Sequence, residues 1–272
     1  MAIRAVAVGD NCIDSYVYPI KQEFVGGNAV NVAVALHRNG ISSSYVGVVG
    51  DDEYGGTVLE GLEAAGVDVS HSRRLKGDTA VTRVELRNGD RVFLEERLGV
   101  TANLTLDEKT LEFIARHRLV HNTHLGHTAR FVPGFKEAGL VVSFDYSTME
   151  DGELVGETIE YVDIAFASFP EQDRLKAIEL AKALVARGPR IAVVTMGEAG
   201  SVAFDGRNVW RQLAVPVEGV VDTLGAGDTF IGTFLSGWLK GEDTAAILQE
   251  AAAQSANNCK HFGGWVPKEE RD

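Results

Sequence analysis

The 272-residue chain is long enough for one large α/β domain or two modest ones with a sizeable buried core. Its 39 Asp and Glu residues outweigh its 26 Lys and Arg residues, which gives a net charge of −13. Because no stretch concentrates basic residues, the composition argues against binding to nucleic acid or to an anionic membrane.

The first part of the chain alternates short apolar strands with amphipathic helices. The pattern predicts a strand over 3–9, a helix over 28–40, a strand over 44–50 and a helix over 54–66. The hydrophobic periodicity then changes, because residues 79–97 alternate apolar and polar side chains on both sides of Asn88-Gly89. This spacing predicts a β-hairpin, and a hairpin that is polar on one face indicates a small flap.

The second part returns to alternating strands and helices. Strands are predicted at 119–123, 140–145, 163–167 and 190–195, a hairpin at 201–213, and helices near 107–117, 129–138, 153–160, 172–187, 226–239 and 243–260. This order predicts a mainly parallel sheet that is covered by helices on both faces. Ligands are then expected at the carboxyl ends of the strands.

Several features predict a cytoplasmic protein. The opening stretch "MAIRAVAVGD" is too short for the apolar region of a signal peptide, and no apolar run approaches a membrane span. The two cysteines, Cys12 and Cys259, match no zinc or redox spacing, so we expect ordinary reduced thiols.

The stretch "DTLGAGDTF" places Gly225, Ala226 and Gly227 directly before Asp228, at the start of a helix with a strong apolar stripe. Uncovered amides at a helix N-terminus attract anions, and they stabilise charge on a transferred phosphoryl group. Without a lysine the motif is not a P-loop of the common type. An Asp in this position could also be a plain helix cap.

Two further polar motifs are candidate binding elements. In "GGNAVN", paired glycines precede a helix on which Asn28 and Asn31 lie one turn apart, and amides suit a polyol ligand. The alternative is a glycine turn with a capping Asn. In "VGDNCID", Asp10 and Asp14 follow the first strand, where a ligand is expected, although Asp10 or Asn11 could equally be a turn former.

These motifs, together with "VTMGEAGS" at 194–201 and the inserted hairpin, resemble the PfkB, or ribokinase-like, carbohydrate kinase family. The resemblance spans nearly the whole chain in the order of the family. It implies an α/β fold, the ribokinase-like three-layer α/β/α sandwich with a mostly parallel sheet and a small β-sheet lid. One domain over 1–272 is expected, with lid segments inserted at about 14–25 and 78–100.

The resemblance also implies residue roles. Asp228 would be the general base that activates a sugar hydroxyl, and Gly225, Ala226 and Gly227 would form the anion hole. The positions that hold the hydroxyls of the sugar correspond to Asp14, Gly27 and Asn31, and Asn28 stands where some relatives carry a lysine.

ATP and Mg²⁺ are the implied cosubstrate and metal. The turn beside ATP corresponds to Thr195, Gly197 and Gly200, and Asp222 and Thr223 occupy positions where many relatives bind a monovalent cation such as K⁺. The Asn-x-x-Glu motif of the family is "SFPE" here. Glu171 is kept and the Asn is not, so the arrangement around Mg²⁺ departs from the family pattern.

Two features remain open between functional and structural interpretations. The stretch "HNTHLGH" carries His121, His124 and His127, which could bind a metal, line a substrate pocket or be structural polar residues. Their place at the end of a strand favours a pocket role, with His124 as the candidate. Arg97, after the hairpin, could reach a substrate carboxylate or the phosphoryl group, or could be a solvated side chain.

The short segment between "GDNCIDSY" and "GGNAVNVAV" is similar to the branch of the family that acts on fructosyl amino acids. The expected substrate is therefore fructoselysine, phosphorylated on its primary 6-hydroxyl. The alternatives are another ketose, a pentose, a nucleoside, or a non-catalytic nucleotide- or sugar-binding regulator on the same fold. A half-exposed flap could pair with its copy in a homodimer.

Overall fold

The computed structural model describes residues 2–87, 90–148, 152–169 and 173–266. The elements of the first part are, in chain order, β1 (Arg4–Val8), β2 (Cys12–Tyr18), β3 (Gln22–Gly26), α1 (Asn28–Arg38), β4 (Ser42–Val46), β5 (Val48–Gly50), α2 (Glu53–Ala64), β6 (Arg73–Leu75), β7 (Val81–Arg87) and β8 (Asp90–Arg97). Those of the second part are α3 (Glu108–Ile114), β9 (Leu119–Thr123), α4 (Val132–Glu137), β10 (Val141–Asp145), α5 (Gly152–Thr158), β11 (Ile164–Ser168), α6 (Arg174–Val185), β12 (Ile191–Thr195), β13 (Ser201–Phe204), β14 (Val209–Gln212), α7 (Ala226–Lys240) and α8 (Thr244–Asn258).

The central sheet has the strand order β14-β13-β12-β11-β10-β9-β1-β4. Its strands are parallel from β4 to β12, and the hairpin β13–β14 extends this edge with antiparallel pairing. The prediction of a mostly parallel α/β sheet is therefore confirmed.

Helices cover both faces of this sheet. On one face Phe230 and Phe234 of α7 pack with Leu36 of α1, with α8 and with sheet residues such as Leu119. On the other face the adjacent sheet residue Val120 packs with α3 to α6. Because side chains alternate along a strand, these neighbours separate into two cores, which gives three layers.

A second, smaller sheet has the order β3-β2-β7-β8. We call it the lid. The hairpin predicted over 79–97 is confirmed as β7 and β8, while its Asn88-Gly89 turn lies outside the described residues. The strands β2 and β3 were not predicted from periodicity, and β2 pairs in parallel with the distant β7.

The strand predicted over 44–50 is two strands. After β4 the chain leaves the central sheet at Gly47, and β5 pairs with β6 in a two-stranded sheet of its own. A side chain at Gly47 would meet the Tyr45 hydroxyl at 2.0 Å, so the chain turns where only glycine fits. Within the described residues, no helix is both long and apolar enough to cross a bilayer.

Candidate active site

A cavity of about 460 Å³ lies between the lid and the carboxyl ends of the central strands. This is where a ligand is expected in an open parallel sheet. The residues that were singled out from the sequence and line this cavity are Asp10, Asp14, Gly27, Asn28, Asn31, Arg97, His124, Thr195, Thr223, Gly225, Gly227 and Asp228. Four other residues that were singled out do not line the cavity, namely Gly197, Gly200, Asp222 and Ala226.

The turn before α7 is built for glycine. Gly225 has a φ of 71°, and a Cβ there would lie 2.5 Å from the Cα of Gly264. Nothing lies within 4 Å of a Cβ placed on Gly227, so the first turn of the helix is open above this residue. Gly225 and Gly227 both line the cavity, and the first amides of a helix lack intrahelical partners, so an anion at this turn stays a prediction that the local structure is compatible with.

Ala226 departs from the expected anion hole. Its N–H donates to the carbonyl of Thr223 at 3.3 Å, which closes the turn before the helix. The N–H of Ala226 is therefore occupied within the turn, and the anion hole stays a prediction for Gly225 and Gly227.

Asp228 lies in the first turn of α7 and is only 8 % exposed. The side-chain amide of Asn31 on α1 donates a hydrogen bond of 2.7 Å to its Oδ2. The two helices approach closely because a Cβ on Gly232 would lie 2.4 Å from the Cβ of Ala35. Helix packing thus holds the carboxylate in one orientation at the wall of the cavity.

The N-terminus of α1 is capped by Asp10. Its carboxylate accepts hydrogen bonds from the main-chain N–H groups of Asn28 at 2.6 Å and Ala29 at 3.3 Å, and from the hydroxyl of Thr123. The alternative of a capping Asn in "GGNAVN" is therefore wrong, because the cap comes from the end of β1. Gly27, with a φ of 106°, lies against the main chain of Asn11, where a Cβ would be 2.6 Å from Cα.

Asp14 reaches the cavity from the lid strand β2 and is buried. Its Oδ2 would be 1.9 Å from a Cβ on Gly26, so this glycine makes room for the carboxylate. The thiol of Cys12 donates to Oδ1 at 3.4 Å. Burial, together with the charges of Asp14 and Asp10, raises the pKa of this thiol well above its usual value, which agrees with an ordinary, unreactive cysteine.

The three histidines of "HNTHLGH" have different environments. His121 is fully buried, its Nδ1 shares a hydrogen bond of 3.0 Å with Ser143, and burial lowers its pKa to about 3. His124 lines the cavity and His127 is exposed. In the described part of the chain no three metal-ligating side chains come together, so the structure does not support a metal site here.

The carboxyl ends of β10 to β12 bring further polar groups to the cavity that were not predicted from the sequence. Asp145 ends β10 and is 9 % exposed. Burial raises the pKa of its carboxyl, against the effect of a hydrogen bond from the N–H of Ser147. The end of the predicted strand 140–145 was the signal that could have identified Asp145, since ligands lie at strand ends.

Of the residues expected beside ATP, Thr195 lines the cavity and its hydroxyl lies 3.3 Å from that of Ser168. At position 200 the fold itself requires glycine, because a Cβ there would lie 2.0 Å from the carbonyl oxygen of Gln212. Glu171 lies outside the described residues.

Asp222 connects the lid to the loop before α7. The Tyr16 hydroxyl of β2 donates to its carboxylate, as do the N–H groups of Leu224 at 3.0 Å and Gly263 at 3.1 Å. The side chain of Asp222 is buried and engaged by protein donors. A monovalent cation near Asp222 and Thr223 therefore stays a prediction, and the Asp222 carboxylate already accepts hydrogen bonds from three protein donors.

Arg97 lies at the rim of the cavity. Its Nε is 3.3 Å from Oε1 of Glu95, and both side chains are about half exposed. The guanidinium therefore already has an acidic partner, and its contact with a substrate stays a prediction.

Comparisons with known proteins agree with this architecture. Residues 21–271 match the family model described as pfkB family carbohydrate kinase. The chain is 41% identical to fructoselysine 6-kinase of Escherichia coli over 95% of this chain and 98% of that protein. It is 34% identical to a fructosamine kinase of Bacillus subtilis over 97% of this chain and 93% of that protein.

The fold is also found in solved structures. A ribokinase of Arabidopsis thaliana complexed with ribose and ATP superposes with a TM-score of 0.85 at 22% identity, covering 97% of this chain and 94% of that one. A ribokinase of Cryptococcus neoformans in complex with ADP gives a TM-score of 0.80 at 21% identity, covering 97% and 96%. At these identities the likeness concerns the fold, and the three-layer ribokinase-like sandwich is confirmed.

Proposed function

The chain belongs to the PfkB family of carbohydrate kinases and is a sugar kinase, and we propose that it phosphorylates the 6-hydroxyl of fructoselysine with ATP. The similarity to fructoselysine 6-kinase and to a fructosamine kinase over nearly the whole chain supports a fructosyl amino acid as the substrate.

One observation carries the catalytic part of the proposal. The carboxylate of Asp228 is held by Asn31 at 2.7 Å, directly beside the glycine turn whose Gly225 and Gly227 line the cavity. In-line phosphoryl transfer depends on positioning the attacking oxygen and on stabilising the charge of the transferred group, and this helical turn offers a base and a candidate anion site for both. The base serves the attacking oxygen while the amides stabilise charge on the transferred group.

In the proposed reaction the 6-hydroxyl gives its proton to Asp228 as its oxygen attacks the γ-phosphorus of ATP. The new phosphorus–oxygen bond forms while the bond to the β-phosphate oxygen breaks, and ADP leaves. Amide donors of this kind contribute about 2.7–4 kcal/mol each in other enzymes. Burial under the lid excludes water that would otherwise accept the phosphoryl group.

Magnesium fits the donors of this cavity. Asp145 offers a carboxylate at a strand end near the ATP-side residues, and oxygen donors of this type suit Mg²⁺ held through water. Mg²⁺ would neutralise phosphate charge when ATP binds. Thr195 would lie beside the nucleotide, and Gly197, Gly200 and Glu171 keep the roles that the family resemblance implies.

Asp14, Gly27, Asn28, Asn31 and His124 would hold the sugar. They converge on one cavity from β2, from the start of α1 and from the end of β9. The Oδ1 of Asn31 and the Nδ1 of His124 are buried and have no hydrogen-bond partner among the described residues. A polyol would supply donors and acceptors to such groups.

The test is an ADP-release assay with the purified protein and millimolar fructoselysine, fructose, ribose and nucleosides. The proposal expects the highest kcat/KM for fructoselysine and a 6-phosphorylated product. A higher kcat/KM for ribose or a nucleoside would move the protein to another branch of the family. Failure to release ADP with every sugar would favour a non-catalytic sugar- or nucleotide-binding regulator.

A homodimer through the lid is a further part of the proposal. The lid exposes large apolar side chains, with Tyr18 60 % and Leu94 46 % exposed, on strands of a small open sheet. Such sheet edges pair readily with a second copy. Light scattering of the protein as it elutes from a size-exclusion column should give twice the mass of the 29.3 kDa chain.

A further inference from the structure

The cavity face of the lid carries a row of three polar side chains. Asp14 of β2 is in register with Thr82 of β7, and Thr82 is in register with Glu96 of β8. All three line the cavity. Because neighbouring strands lie about 4.8 Å apart, the row extends about 10 Å from the sugar-binding candidate Asp14 to Glu96.

The next row turns to the opposite face. Arg83 is in register with Glu95, and its Nη1 lies 3.7 Å from Oε2 of Glu95. Glu95 is also the partner of Arg97. Arg97 also lines the rim of the cavity, but its ion pair is with Glu95, and the register of β8 places Glu96 and not Glu95 in the cavity row.

Negative charge dominates the cavity. Five carboxylates line it, namely those of Asp10, Asp14, Glu96, Asp145 and Asp228. Arg97 is the one Lys or Arg among the described lining residues, and Glu95 already pairs with it. An uncharged sugar adds no positive charge to the lid side of this cavity, whereas a substrate with a cationic group does.

Most of these carboxylates have another role. Asp10 caps α1, and Asp228 is held by Asn31 beside the anion site. Asp14 is a candidate sugar ligand, and Asp145 is the candidate donor to Mg²⁺. The carboxylate of Glu96 is exposed at the rim and makes no ion pair or hydrogen bond within the described residues. Of the five lining carboxylates it is the one without a role in the proposed reaction, and it is therefore free to bind a group attached to the sugar.

We propose that Glu96 accepts a hydrogen bond from the protonated amine on C1 of a fructosyl amine and so selects such substrates over neutral sugars. The inference rests on the proposed function, because it assumes that the 6-hydroxyl lies at Asp228 and the sugar at Asp14. A C1 substituent then extends along the row towards Glu96. A secondary amine is protonated near neutral pH, and a charge-assisted hydrogen bond to it is stronger than a neutral one.

The test compares Glu96→Gln with the unmodified protein on two substrates, fructoselysine and D-fructose. The substitution keeps the shape of the side chain and removes its charge. We expect KM for fructoselysine to rise about tenfold with kcat unchanged, which is the effect of one partly exposed charge-assisted hydrogen bond. The kcat/KM for D-fructose should not change, because fructose has no amine.

The matched control is Glu95→Gln, which removes the same charge from the adjacent residue on the opposite face of β8. This variant should keep the preference for fructoselysine over fructose. Salt gives a second readout, since screening of the charge pair makes KM for fructoselysine rise more steeply with ionic strength in the unmodified protein than in Glu96→Gln. Thermal melting checks that both variants are folded.

The outcomes separate the two proposals. If the unmodified protein does not prefer fructoselysine, the proposed substrate is wrong and the role of Glu96 falls with it. If it does prefer fructoselysine and folded Glu96→Gln keeps the same preference, only the inference on Glu96 is overturned. An equal loss of kcat/KM on both substrates would also overturn it, because selection of the amine requires a loss on one substrate alone.

Discussion

Asn31 and Asp228 are 197 residues apart in the chain, and the amide of one donates a 2.7 Å hydrogen bond to the carboxylate of the other. The contact depends on the packing of α1 against α7, which the glycine at position 232 allows. Two motifs that look independent in the sequence therefore form one structural unit.

The first prediction concerns the proposed base. Asp228→Asn removes the proton acceptor but keeps the shape of the side chain, so kcat should fall by about two to four orders of magnitude. ATP should still bind with an unchanged dissociation constant, measured by calorimetry. Near-normal turnover in the variant would refute the assignment of Asp228 as the base.

The second prediction concerns the orientation of that base. Asn31→Ala removes the donor to Asp228 and a candidate contact to the sugar, so kcat/KM should fall about 10- to 100-fold, as for a lost hydrogen bond to a charged group. Steady-state kinetics with the preferred sugar measures this effect. Asn39→Ala is the control at the opposite end of α1, because Asn39 bonds to Ala35 and Thr233 away from the cavity. Equal losses in the two variants would contradict the role of Asn31 in catalysis.

The third prediction separates the two glycines of the anion site. Gly225→Ala places a Cβ against Gly264 at a positive φ, so the free energy of unfolding should fall by about 1–3 kcal/mol. Gly227→Ala has open space around its Cβ and should keep its stability, but the methyl group would cover the phosphate site and lower kcat. Chemical denaturation and kinetics of both variants measure the difference. A fully active Gly227→Ala protein would show that no phosphoryl group passes over this turn.

The fourth prediction concerns stability against acid. The pKa of His121 is about 3 in the fold, against 6.5 for an ordinary histidine. Between these values the unfolded chain binds a proton that the folded protein excludes, so stability falls as the pH drops below 6.5 and continues to fall towards pH 3. Each pH unit below 6.5 lowers the free energy of unfolding by about 1.4 kcal/mol through this group.

The measurement is the free energy of unfolding by urea at pH 7.5 and 5.5, in the unmodified protein and in His121→Asn. The variant should lose about 1.4 kcal/mol less than the unmodified protein over this interval, because Asn does not titrate. An identical pH dependence in both proteins would mean that His121 is not excluded from protonation.

The sequence by itself determined the layered architecture and the chemistry-bearing motifs. Strands such as 119–123 and 190–195 and the stripe of α7 follow from hydrophobic periodicity, which reports burial over a few residues. The motif "DTLGAGDTF" indicated an anion site with an acid beside it, since glycine and helix-start preferences are local. The family followed from several such motifs in a fixed order.

Only the tertiary structure decided which of the equivalent-looking groups meet. The donor to Asp228, the use of Asp10 as the cap of α1 and the burial of His121 away from His124 depend on elements that are distant in sequence. The same holds for the register that turns Glu96 rather than Glu95 over the cavity. Local preferences restrict each backbone segment, but the packing of helices and the pairing of strands fix which faces oppose each other, and these contacts set the geometry of the site.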